Sequence, residues 1–117
     1  MTTDGIQMTN VIVTMLGRFE YLLLTATVRL GHDAYGAAIR REIESITGQR
    51  YSIGAMQITL DRLEKKGLLK TWMSEATPHR GGRAKRMVQI NAEGVKAATS
   101  FYNTVAQMSR GVSWEAM

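Results

Sequence analysis

The chain has 117 residues, 44% of them hydrophobic, a formal net charge of +5 and no cysteine. That length fits one domain with a modest core, the kind that often completes its burial by dimerising. The missing cysteine excludes disulfides, thiolate zinc sites and cysteine nucleophiles, and the basic balance favours acidic partners, nucleic acid before anionic lipid.

Residues 1–15 read as an N-terminal arm or a short helix. The start Met-Thr-Thr-Asp lacks the cationic opening of a secretory signal. The apolar run from Val11 to Leu16 is too short to cross a bilayer, and Arg18 and Glu20 follow at once. A cytoplasmic protein with no membrane partner is expected.

Over residues 16–30, Phe19, Leu22, Leu23, Ala26 and Leu30 recur at helical spacing, and Gly31 stops the helix. Asp33 is expected to cap a second helix, Ala34 to Thr47, with Tyr35, Ile39, Ile43 and Ile46 on one face. Gly48 ends it. Ser52 is expected to cap a third helix, Ile53 to Lys66, closed by Gly67. Its buried stripe is Met56, Leu60 and Leu63. The opposite face carries Gly54, Gln57, Ile58, Asp61, Arg62 and Lys65.

Leu68 to Ser74 reads as a strand, Glu75 to Lys85 as a loop holding the single proline, Pro78, and Arg86 to Ile90 as the returning strand. Asn91 is expected to cap a last helix that reaches Ser109, with Glu93 in its first turn. Val95, Ala98, Tyr102 and Val105 form a stripe on that helix, widened by Phe101 and Met108. The stripe either packs on its own domain or forms a dimer seam. The seam is favoured, because the apolar face exceeds what so small a core absorbs. Residues 110–117 read as a frayed tail.

The charge is not spread evenly. Residues 50–86 hold nine cations and three acids, a net of +6, and the rest of the chain nets −1. A basic segment between nearly neutral flanks suits a phosphate-facing surface. The element order is helix, helix, capped helix, basic hairpin, helix. The fold class expected is mainly α with a small β-hairpin: a winged helix-turn-helix over residues 16–91 and a C-terminal dimerisation helix over 92–109. The third helix would enter the major groove of double-stranded DNA. There Ser52, Gln57, Ile58 and Arg62 would read or position on bases, since amide and guanidinium groups address base edges and an apolar side chain meets a thymine methyl. Arg50, Lys65, Lys66, Arg80, Arg83, Lys85 and Arg86 would neutralise phosphates. From Ala76 to Ala92 there is no acid, and Gly81 and Gly82 let the wing backbone approach a phosphate closely.

The chain resembles the PadR family of bacterial transcriptional regulators. The resemblance spans roughly residues 16–98. It rests on Tyr35-Gly36 with Ile39, on Ser52 to Ala55, on Thr59-Leu60 with Arg62 to Leu69, on Gly82-Arg83 with Lys85-Arg86, and on Glu93-Gly94. With one helix after the wing, the chain is similar to the family's short subgroup. The resemblance implies a homodimer that binds a pseudo-palindromic operator, often as a repressor, with DNA binding commonly relieved by a small-molecule effector. Family members often have aromatic residues where this chain has Ala37, Gln57, Met87 and Val88.

No pair of residues suggests catalysis. Arg80-Gly81-Gly82-Arg83 fits neither a phosphate-cradling Walker loop nor a dinucleotide fingerprint, so no nucleotide cofactor is expected. His32 and His79 are isolated in sequence, so no metal site is expected either. Trp72 and Trp114 either line an effector pocket or pack in the ordinary way, and ordinary packing is favoured. Two rival functions share this fold: a protein-interaction module whose wing meets an acidic partner, and a nonspecific nucleic-acid binder.

Overall fold

The computed structural model describes residues 16–75 and 83–116. Helices α1 (Arg18–Leu30), α2 (Gly36–Thr47) and α3 (Ile53–Lys65) lead into the hairpin β1 (Leu69–Met73) and β2 (Arg86–Ile90), and α4 (Ala92–Ser109) follows. Leu23, Leu24, Ile39, Leu60, Leu63, Leu68 and Leu69 are almost wholly removed from water and make the centre of the core. No helix among the described residues is long and apolar enough to cross a membrane. The arm or helix expected over residues 1–15 lies outside the described residues.

Local chemistry sets most element ends. The Gly17 N–H donates to Glu20 Oε1 at 2.9 Å, which satisfies a free donor at the start of α1. Gly31, Gly48 and Gly67 end α1, α2 and the α3 turn with φ of 58°, 73° and 79°, where an L side chain would be strained. Ser52 caps α3 as expected, its Oγ accepting from the Ala55 N–H at 3.0 Å.

Two expected caps are not made. Asp33 ends a short 3-10 turn, Gly31–Asp33, and α2 begins only at Gly36, with no side-chain cap at Tyr35. The reason is the neighbouring strand. Ala34 and Tyr35 run extended beside β2, the Ala34 carbonyl accepts from the Val88 N–H at 3.0 Å, and Tyr35 bridges to Met87. A buried N–H on the edge of β2 thereby gains a partner. Asn91 stands at the start of α4 but does not cap it with its side chain. Its Nδ2 donates to the Gly67 carbonyl at 3.1 Å and its N–H to the Leu68 carbonyl at 2.9 Å. Asn91 therefore ties α4 to the α3–β1 turn.

β1 and β2 pair antiparallel. Leu69 faces Ile90 and Thr71 faces Val88 on the core side, and Trp72 faces Met87 on the outer side. One expected face is corrected. Ile46 is exposed, at 59%, because the buried positions of α2 are Ala38, Ile39 and Ile43. On α4 the domain-facing positions are Gly94 and Ala97, with Phe101 stacked on Tyr21 at 4.7 Å between ring centroids. The expected stripe lies beside that line: Ala98 is half-buried, and Val95, Tyr102, Val105 and Met108 are exposed.

Candidate nucleic-acid interface

α3 is divided by its own sequence. Met56, Thr59, Leu60 and Leu63 go into the core, which turns Gly54, Gln57, Ile58, Asp61, Arg62 and Lys65 to solvent. Ile53 and Ile58, at 65% and 61% exposed, are apolar side chains on an otherwise polar face. Arg62, Lys65 and Arg83 pair with no carboxylate among the described residues. Ser52 stands at the head of this face with its Oγ in the cap.

The hairpin is fastened to α3 by side chains. Arg86 donates through Nη1 to Gln57 Oε1 at 2.6 Å and through Nη2 to Asp61 at 2.8 Å, with Glu64 at 3.4 Å. Glu64 also accepts from the Thr71 N–H at 3.0 Å and from its hydroxyl at 3.1 Å. The foot of the wing therefore stands against the solvent-facing side of α3.

The expected phosphate cations do not all stand free. Lys66 donates to Glu20 at 3.1 Å, and Glu20 is buried, 7% exposed. Arg86 is engaged as above. Arg50 meets Glu44 at 3.3 Å with both side chains exposed, a contact of small energetic weight. Lys85 lies over the Tyr35 ring, Nζ 4.4 Å from its centroid. Arg80, with Pro78, His79, Gly81 and Gly82, lies outside the described residues.

Sequence alone assigns neither Tyr35 nor Arg41 to this surface. The Tyr35 hydroxyl accepts from Arg41 Nη2 at 2.9 Å. That bond, opposed by burial and helped by the Lys85 and Arg41 charges, holds the phenol below its usual pKa. Neighbouring Gly36 faces α3, where a Cβ in its place would be in ordinary contact with Gln57 Nε2, at 4.0 Å. Tyr35 reads as an apolar position of a helix because its two-residue pairing with β2 leaves no periodic signal.

A cleft of about 430 Å³ opens where the end of α1 meets the outer side of the hairpin. Val28, His32, Trp72, Met87 and Gln89 are among its walls. It joins His32 and Trp72, which the sequence left apart. Trp114, 74% exposed, is in a 3-10 turn (Trp114–Ala116) of the tail. A second groove, about 310 Å³, runs between α1 and α4 past Tyr21, Leu24, Val95 and Tyr102.

No family model and no curated protein matches the chain. Solved structures do. RosR from H. salinarum is 29% identical, with 81% of this chain and 78% of that one covered and a TM-score of 0.59. A PadR-like transcription factor from Bacteroides fragilis is 17% identical over 94% of this chain and 95% of its own, with a TM-score of 0.65. A PadR family transcription regulator from Clostridium difficile is 22% identical over 80% of this chain and 95% of that one, with a TM-score of 0.60. The chain has the winged-helix fold of these PadR-like regulators, mainly helical with one two-stranded hairpin, in line with the resemblance its residues carry.

Proposed function

We propose that the chain is a sequence-specific DNA-binding transcriptional regulator that acts as a dimer. The observation that carries this is the outer face of α3, where Gln57, Ile58, Arg62 and Lys65 stand exposed and Gln57 and Asp61 are tied to Arg86, at the foot of a hairpin that also carries the exposed cations Arg83 and Lys85. A helix with amide, guanidinium and apolar groups on one face, flanked by cations on a hairpin, suits base edges and phosphates together. In this reading Gln57, Ile58 and Arg62 read bases. Arg50, Lys65, Arg83 and Lys85 neutralise phosphates. Lys66 and Arg86 hold the fold.

The dimer forms through α4, whose Val95, Tyr102, Val105 and Met108 face solvent in the single chain. Two-fold symmetry then gives a pseudo-palindromic operator with half-site centres about one helical turn apart, roughly 34 Å. The protein acts as a repressor, as the PadR resemblance implies. The cleft beside Trp72 offers room for a small-molecule effector at the wing stem, and its volume of about 430 Å³ lies within the range of small-molecule pockets.

Selection of bound duplexes from a random DNA library, at about 150 mM salt, tests the reading. An enriched inverted repeat is expected. Retention without an enriched sequence leaves a nonspecific binder, and no retention of any duplex overturns the DNA reading.

A further inference from the structure

We infer that Tyr35, Arg41 and Lys85 form a clamp for one backbone phosphate of DNA at the edge of the base-reading face. The inference rests on the DNA-binding reading above, and it adds a site of which two members, Tyr35 and Arg41, lie outside the basic segment of the sequence.

The Tyr35 oxygen already accepts from Arg41 at 2.9 Å, so its own proton is free to be donated outward. Arg41 keeps further N–H donors, and Lys85 brings an ammonium 4.4 Å from the ring centroid. Neither Arg41 nor Lys85 pairs with a carboxylate among the described residues. The cluster is thus rich in donors, with two positive charges and no acid partner. An anion with several acceptor oxygens satisfies it, and phosphate is that anion on DNA.

Tyr35 is half-buried and its backbone is paired with Met87 on β2, so its ring is fixed against the wing. The residue after it, Gly36, lies beside the Gln57 amide on α3. A phosphate on the clamp would therefore flank the bases that α3 faces. Among the described residues, the first turn of α2 holds no acid and Tyr35 makes no side-chain cap, so the positive end of the helix dipole adds to the clamp.

Phosphate-ethylation interference on the duplex enriched by the full chain tests the clamp, and it separates a DNA phosphate from a free one. For the wild type, ethylation of one particular phosphate in each half-site is expected to weaken binding. Y35F keeps the ring and loses only the hydroxyl, and R41Q loses the charge. In both, sensitivity at that phosphate is expected to vanish while sensitivity elsewhere persists. Each variant is expected to bind about tenfold more weakly to specific and random duplexes alike. R41Q is also expected to flatten the logarithmic salt dependence by about 0.9 for each phosphate it no longer neutralises. Circular dichroism checks that both variants fold. If both fold and keep wild-type affinity, or keep the full interference pattern, the clamp is overturned and the DNA reading stands. If the wild type retains no duplex, the DNA reading fails and the clamp falls with it.

Discussion

Arg86 donates to the side-chain oxygen of Gln57 at 2.6 Å, so the foot of the wing and α3 hold each other. A bidentate contact to adenine needs both ends of a glutamine amide. The bond from Arg86 takes one lone pair of Oε1 and leaves the other, so under the proposed reading Gln57 meets adenine only where that second lone pair faces the base, and its Nε2 donor suits acceptors such as guanine O6 or thymine O4. The same guanidinium spans Asp61 and Glu64, and its side chain is 19% exposed. Arg86 thus works as a strut.

The variant R86M separates a strut from a phosphate contact. It is expected to lose about 1 kcal/mol of stability, a modest figure because Asp61 is 69% exposed and screened by water. Specific DNA affinity is expected to fall while the salt dependence keeps its slope. Urea denaturation and binding titrations at several salt concentrations measure both. A slope that drops by about 0.9 per site would return Arg86 to the phosphate set.

Under the proposed reading Arg62 and Arg83 divide the work differently. R62A is expected to cost about 1–3 kcal/mol on the selected operator and little on random DNA, as for removal of a bidentate hydrogen bond to a base. R83A is expected to weaken both duplexes by the same factor. Parallel titrations on the two duplexes decide it, and equal losses from both substitutions would remove the distinction.

Gly94 holds α4 against the hairpin more closely than any side chain allows. A Cβ there would stand 2.1 Å from the Leu68 carbonyl oxygen and 2.7 Å from Ile90 Cγ1. Backbone cannot yield that far without shifting α4. G94A is expected to destabilise the protein by about 3 kcal/mol despite the better helix propensity of alanine. A chemical denaturation midpoint close to wild type would show that α4 can move off the turn freely.

The proposed dimer seam lies on the exposed stripe of α4. Tyr102 is 61% exposed, Val105 48% and Met108 77%, on the part of the helix beyond Phe101 where no residue is buried. V105D places a charge in the middle of the seam without touching the core. Its dimer dissociation constant is expected to rise by about a hundredfold, since a buried unpaired carboxylate is costly. Sedimentation at micromolar concentration measures this, with circular dichroism unchanged. A wild type that sediments as a monomer removes the seam altogether.

The helices were legible because their signals are local and periodic. Ser52 caps α3, glycines stop α1 and α2, and the split between Met56, Leu60 and Leu63 and the outer face of α3 holds residue for residue. What escaped is long-range. Asp33 has the chemistry of a cap, but Ala34 is drawn into pairing with β2, more than fifty residues on, and α2 starts later. Lys66 reads as one more cation in a basic run, yet it neutralises Glu20, which lies in the core 46 residues earlier. Tyr35 and Arg41 precede the charge cluster and meet Lys85 only once the hairpin is folded. Composition locates a basic segment; only packing separates cations that face solvent from cations that hold the scaffold.

The Tyr35 clamp also predicts a pH dependence with a definite sign. The hydrogen bond from Arg41 is the chief influence on the phenol. Burial opposes it, the Lys85 charge adds to it, and together they hold ionisation below the usual 10.0. Below that pKa the hydroxyl has a proton to donate to a phosphate. Above it the donor is gone and a phenolate repels the phosphate instead. The affinity advantage of wild type over Y35F is therefore expected to be full at neutral pH and to shrink as pH rises through the Tyr35 pKa. Comparing the two proteins removes the general effect of lysine deprotonation, which both share. Binding to one duplex, measured for both from about pH 7 to 10, reads the ratio directly. A ratio that stays level across a rise in phenolate absorbance, seen in wild type and missing in Y35F, would show that the hydroxyl does not touch DNA.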